Sequence, residues 1–235
     1  MNKFLKAISF VLALALTQTT NAAVIGIFGG NSAANIETFL DQHGHNSTRF
    51  SSITAANLAG LDVAILLRTN GNAALDSFVR NGGTLITEWT AADWAVNTLD
   101  YFGAAISGGG FVGTGTPITV TGAGAAVGLN SGLASSWSNG GATEFFRTFS
   151  NVGTANVLAT RPGAAAVIGG EVGSGYAVIN GMDWADSFSI APTNVGTFLL
   201  NMVDVQNHRN SVPEPSSVFL AALGLAGLAG SRRKK

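Results

Sequence analysis

The apolar positions of this chain fall in short blocks separated by glycine and asparagine, and the spacing inside each block points to an element. Val24-Ile25-Gly26-Ile27-Phe28 opens into Gly29-Gly30-Asn31-Ser32, the order of a buried strand followed by a helix cap. Ile36, Phe39 and Leu40 recur at helical spacing as far as a stop near His43-Gly44. Thr48 to Ile53 reads as a second strand. Asp62 to Arg68 is a nearly continuous apolar run, as in a strand buried on both faces. Asn72 to Arg80 is a helix with Leu75, Phe78 and Val79 inward, ended by Asn81-Gly82-Gly83. Thr84 to Trp89 is another strand, and Asp93 to Phe102 another helix. Strands alternating with helices across short glycine turns predict a three-layer α/β domain with a mostly parallel sheet.

The rhythm breaks at residues 103–132, where ten of thirty positions are glycine. Phe111-Val112 and Ile118-Thr119-Val120 suggest a short hairpin inside a glycine-rich loop or edge ribbon. Strands return at Ala155 to Thr160, Ala164 to Gly170 and Tyr176 to Gly181, with Gly173-Ser174-Gly175 as the tight turn between the last two. Thr193 to His208 closes the pattern as a helix with Val195, Phe198, Leu199, Met202 and Val203 on one face. Residues 23–211 are long enough for one core and are read as a single domain.

Three stretches of this domain carry a resemblance. They are Leu61 to Leu66 leading into Leu75 to Ile86, then Gly173 to Trp184, then Leu199-Leu200-Asn201-Met202-Val203. Together they resemble the class I glutamine amidotransferase-like fold, a flavodoxin-like sheet. The catalytic members of that family place a cysteine on a sharp turn after a central strand. The corresponding Thr87-Glu88-Trp89-Thr90-Ala91 has none, and no histidine follows the late strands. The resemblance therefore implies the fold and not the activity.

The two ends read as addresses. Lys3 and Lys6, the apolar run from Ala7 to Leu16 and the small residues Thr20-Asn21-Ala22 make a secretory signal peptide over residues 1–22, cleaved after Ala22. The run is short for a membrane anchor, which needs about 20 residues. At the other end Val212-Pro213-Glu214-Pro215 precedes an uncharged segment from Val218 to Gly230, and Arg232-Arg233-Lys234-Lys235 closes the chain. As a helix of thirteen to fifteen residues this segment reaches about 22 Å, short of a hydrocarbon core of about 30 Å, with its basic end on the cytoplasmic side. Residues 212–235 resemble the PEP-CTERM sorting signal. That resemblance implies transient anchoring in the inner membrane of a Gram-negative bacterium. It also implies recognition by an exosortase and release to the cell surface or an exopolysaccharide-rich matrix. The implied partners are the secretion machinery with signal peptidase, the exosortase, the membrane and exopolysaccharide.

Composition narrows the chemistry. Cysteine is absent, which removes disulfides, thiolate metal sites and cysteine nucleophiles. Residues 23–211 hold six arginines, no lysine and twelve acids, a formal balance of −6. That is no footprint for nucleic acid. No G-x-S-x-G elbow is present. His43, His45 and His208 sit at predicted helix ends, and His43 with His45 supplies only two ligands for a metal. Gly26, Gly29 and Gly30 fit neither a dinucleotide nor a Walker loop. No cofactor is expected.

One constellation stands out. Glu88-Trp89, Asp93-Trp94 and Asp183-Trp184 with Asp186 fall at or just past strand ends, and Arg68 ends a strand at the same edge. Ligands of open α/β sheets bind outside the carboxyl ends of the strands. Arg68, Glu88, Trp89, Asp93, Asp183, Trp184 and Asp186 are therefore the candidate ligand site. The carboxylates suit calcium and the indoles suit sugar rings. Helix capping and packing under loops account for the same residue types. Three readings follow: a non-catalytic exported matrix protein, a glycan- or calcium-binding module, and a hydrolase of matrix polysaccharide using two carboxylates.

Overall fold

The computed structural model describes residues 22–113, 115–138, 144–189 and 193–211. Residues 1–21, nearly all of the expected signal peptide 1–22, and the sorting segment 212–235, with its expected membrane helix, lie outside the described residues. Among the described residues no helix is long and apolar enough to cross a membrane.

The first half alternates as its pattern predicts. Strand β1 (Val24–Phe28) is followed by helix α1 (Ala33–Gln42), β2 (Asn46–Phe50), the single turn α2 (Ala55–Leu58), β3 (Val63–Leu67), α3 (Ala73–Arg80), β4 (Thr84–Glu88) and α4 (Ala91–Asn97). Local chemistry sets the boundaries. Asn72 caps α3 by accepting from the backbone N–H of Ala74 (3.0 Å) and Leu75 (3.2 Å), a contribution of about 1 kcal/mol. Leu75 and Val79 then point inward, each supplying roughly 1.5–3 kcal/mol on burial. Ser32, in contrast, is left-handed (φ 52°) and makes no side-chain cap for α1.

After a 3₁₀ turn at Tyr101–Gly103 the chain adds β5 (Ala105–Val112), β6 (Pro117–Val120), α5 (Gly122–Ala126), β7 (Ser136–Ser138) and β8 (Glu144–Asn151). It continues through β9 (Asn156–Arg161), β10 (Ala164–Val172), β11 (Gly175–Asn180), a 3₁₀ turn at Ala185–Ser189, α6 (Thr193–Val203) and α7 (Val205–Ser211). The expected last helix is thus two, divided at Asp204.

All strands share one sheet, in the order β2-β1-β3-β4-β11-β10-β9-β6-β7, with β8 pairing β10 and β5 pairing β8. The pairs β2-β1, β1-β3, β3-β4 and β4-β11 are parallel. Every pair beyond β11 is antiparallel. The sheet is therefore mixed, not mostly parallel as the pattern predicts. No helix long enough for a parallel crossover lies between β5 and β10, and the two-residue links β9–β10 and β10–β11 can close only an antiparallel ladder. The expected hairpin within residues 103–132 is also absent. β5 pairs with β8, and β6 pairs with β7 and β9.

Residues of β3 alternate between two cores. Val63, Ile65 and Leu67 face α1 and α6, whereas Ala64 and Leu66 face α3 and α4. Helices thus cover both faces of the parallel strands, and their carboxyl ends emerge together along one edge.

Candidate functional site

Three chain segments meet at that edge. β3 and β4 each finish on a non-glycine residue in the left-handed region, Arg68 at φ 47° and Trp89 at φ 44°. Such bulky residues adopt this conformation at a cost of order 1–2 kcal/mol, which the surrounding hydrogen bonds hold in place. Between β4 and β8 runs the continuation of β11. Trp89 N–H donates to Met182 O (3.1 Å), Asp183 N–H to Phe145 O (2.9 Å) and Arg147 N–H to Gly181 O (2.7 Å). The loop after β1 completes the edge. Gly29, at φ 103°, lies so close to the Leu67 carbonyl that a Cβ there would overlap it, and this brings Asn31 to Asp186 (Nδ2 to Oδ1, 2.9 Å).

The carboxylates converge on one guanidinium. Arg68 Nη2 donates to Asp183 Oδ1 and to Asp186 Oδ2 (2.8 Å), and Arg68 Nε faces Glu88 Oε1 at 3.4 Å. Glu88 is 0% exposed and Asp183 3%. Burial opposes the charge on Arg68, but its hydrogen bonds to Asp186 and Asp183 outweigh that and raise its pKa further. Burial likewise works against the charge of Asp186. Hydrogen bonds from Asn31 and Arg68 still hold it below the usual carboxylate range. Glu88 behaves differently. Burial first, then its contact with the Asp183 carboxylate, pushes its pKa up to about 9 against the opposing pull of Arg68. The raised pKa favours the neutral form of Glu88, and its buried Oε2 makes no hydrogen bond.

Of the predicted site residues, Arg68, Glu88, Asp183 and Asp186 come together in this cluster. Trp89 lies beside them, half-buried, under the Arg68 guanidinium (4.9 Å to the ring centre) and near that of Arg147 (5.8 Å). Asp93 belongs to a separate pair with Arg147, whose Nη2 and Nε donate at 3.0 and 3.2 Å. Trp184 does not face the edge. It is 2% exposed, donates Nε1–H to Thr87 O (3.0 Å) and packs on Phe188. An indole so enclosed cannot stack on a ligand, and the sugar-stacking role expected of it is withdrawn.

Two residues that the sequence reading did not single out complete the surface. Phe111 and Phe145 are 59% and 45% exposed. They sit opposite each other in the β5–β8 ladder with ring centres 4.8 Å apart, and Phe145 stacks on Trp89 at 5.3 Å and 23°. Phe146, pointing the other way, packs against the core. The glycines of β5 make this possible. A Cβ at Gly110 would press on the Phe146 ring (2.8 Å), and one at Gly109 on Phe146 O (2.6 Å) and on Arg147 Nη1 (3.1 Å). The signal in the sequence is a glycine run ending in a lone aromatic, but its partner strand lies over thirty residues downstream.

Other candidate groups lie elsewhere. His43 Nδ1 bonds Phe39 O (2.8 Å), and His45 Nδ1 accepts from Ala23 N–H (3.3 Å), both away from this edge. Among the described residues no group of three or more His, Asp or Glu is placed to hold a metal ion. A concavity of about 670 Å³ opens near Asp62, Gly83, Thr84 and Gln206, at the opposite ends of the strands. It holds none of the predicted site residues, so volume and chemistry part company here, and the chemistry marks the better candidate.

Residues 211–234 match the PEP-CTERM protein-sorting motif. That match carries the export and cell-surface sorting of the chain, with an exosortase as processing partner. No curated protein matches the chain. Solved structures do, at the level of fold. Cytoplasmic protein STM3548 from Salmonella typhimurium aligns with a TM-score of 0.58 and 12% identity, over 77% of this chain and 98% of that one. Cytoplasmic protein STM1381 from Salmonella typhimurium LT2 aligns at 0.56 and 12%, over 77% and 97%. Agd3, a carbohydrate deacetylase, aligns at 0.50 and 11%, over 77% of this chain but 32% of its own. The chain spans about a third of Agd3. At these identities the likeness is one of mixed α/β fold alone.

Proposed function

We propose that this chain is a non-catalytic surface or matrix protein, sorted by an exosortase in company with exopolysaccharide, whose α/β domain works by binding glycan at the carboxyl edge of its parallel strands. In this reading the parallel half, β2-β1-β3-β4-β11, is an amidotransferase-like framework that has kept its sheet and lacks the nucleophile. The observation that supports its non-catalytic part is the closed state of two of the acids. Glu88 and Asp183, at 0% and 3% exposure, are turned toward Arg68 and toward each other. A polysaccharide hydrolase needs two carboxyl groups that reach the scissile bond from opposite sides, and these two do not face solvent. The calcium alternative loses ground for a related reason, because the Arg68 guanidinium already occupies the point on which the carboxylates converge.

The test uses the protein recovered from cells and extracellular polysaccharide extracted from the same cells. Co-sedimentation with the polysaccharide, without release of new reducing ends, is the expected result. Release of reducing ends that Asp183→Asn abolishes would overturn the proposal and restore the hydrolase.

A further inference from the structure

The exposed aromatics at the mouth of this edge are built as a ligand surface of defined chemistry. Large apolar groups left in water are uncommon enough to require a reason when they are contiguous, and Phe111 and Phe145 are the exposed large hydrophobics of the described residues. They are not loose. They are ladder partners, Phe145 is stacked on Trp89, and Trp89 lies under one guanidinium and near a second. The strip is therefore preorganised, which lowers the entropic cost of binding.

Its rim decides the charge of what fits. Arg147 is paired with Asp93, and Arg68 with Asp183 and Asp186. Asp93, Arg147 and Asp186 nevertheless keep 32%, 30% and 50% of their side chains exposed. They can donate to and accept from hydroxyl groups without any change in charge. A polyanion would have to displace Asp93 or Asp186 from its arginine, on a domain whose balance over residues 23–211 is −6. A second copy of the chain is a poor fit on size. Two phenylalanine rings bury at most about 500 Å², against about 800 Å² per partner in a stable interface.

We infer that Phe111, Phe145 and the Arg147–Asp93 pair form a binding strip for an uncharged polysaccharide, the rings taking the apolar C–H faces of successive sugars and the ion pair their hydroxyls. The inference rests on the glycan reading above and adds the charge class and the residues. Native gel electrophoresis of the recovered protein tests it, in gels containing hydroxyethylcellulose, galactomannan or alginate. Retardation is expected in at least one of the two uncharged gels and not in alginate. The Phe111→Ala/Phe145→Ala variant should bind at least tenfold more weakly with an unchanged thermal midpoint, while Phe145→Trp keeps binding.

Retardation in alginate that fades with salt would overturn the charge class and leave the glycan reading standing. Binding untouched by the double substitution would overturn the strip. Loss of all polysaccharide association, in the gels and in the co-sedimentation above, would remove the glycan reading with it. A concentration-dependent dimer lost in the double variant would assign the strip to a second copy.

Discussion

Two clusters lie side by side at one sheet edge and invert the usual partition of side chains. Around Arg68 two ionisable groups are inside, with Glu88 and Asp183 almost wholly buried. On β5 and β8 the apolar groups are outside, with Phe111 and Phe145 59% and 45% exposed. The first arrangement is largely turned in on itself. The Arg68 guanidinium takes up an oxygen of Glu88, of Asp183 and of Asp186 and leaves little for a ligand. The second is unsatisfied, since its rings have apolar contacts on one side and water on the other. Proximity to strand ends, the rule that first drew attention to the acids, does not separate these cases. Burial and partnership do. The acids thus serve stability and the aromatics recognition.

Trp184 stands with the interior cluster. Trp184→Ala should destabilise the fold by about 3–5 kcal/mol, read as a lower midpoint in urea, and polysaccharide retention should fall only in proportion to the unfolded fraction. Glu88 gives a signature in pH. Its pKa is raised on folding, so its contribution to stability is fully present below the unfolded value near 4.5 and is lost as pH climbs from there to about 9. Glu88→Gln keeps the neutral shape without the proton. The variant should therefore match the wild type in acid and exceed it increasingly toward alkaline pH. Parallel curves for the two would show that Glu88 does not carry this proton.

The Asp93–Arg147 pair is partly exposed, so Asp93→Ala should cost only about 0.2–1 kcal/mol in urea while weakening polysaccharide binding. Smallest of all is the structural effect of Phe145→Ala, expected within about 0.5 kcal/mol. A large loss there would move Phe145 from recognition to packing and erase the contrast.

The parallel half was legible because its elements are announced locally. Val63 to Leu67 is buried on both faces and so is a continuous apolar run, and Asn72 and Gly82 punctuate α3 on either side. The antiparallel half was not, for physical reasons. β5 contains Gly108-Gly109-Gly110, which has no hydrophobic period, and its identity as a strand comes from β8, whose residues 144–151 are distant in sequence. Read alone, the glycines suggest a loop. Read against Phe146 and Arg147, Gly109 and Gly110 are positions where a Cβ would collide, while Gly108 has open space around it and a φ of +151°. The candidate site divides the same way. That Arg68, Glu88, Asp183 and Asp186 share an edge follows from strand ends. That Glu88 is buried against Asp183, that Trp184 turns inward and that Arg147 reaches Asp93 depends on packing that no local pattern encodes.

If the charged cluster supports the fold, urea unfolding of Arg68→Met at neutral pH beside the wild type will show it. The substitution keeps most of the side-chain length and leaves Asp183 and Glu88 buried without their cation. A loss of about 3 kcal/mol with an unchanged denaturant slope is expected. An unfolding curve that superimposes on the wild type would contradict it and return these acids to the candidates for chemistry.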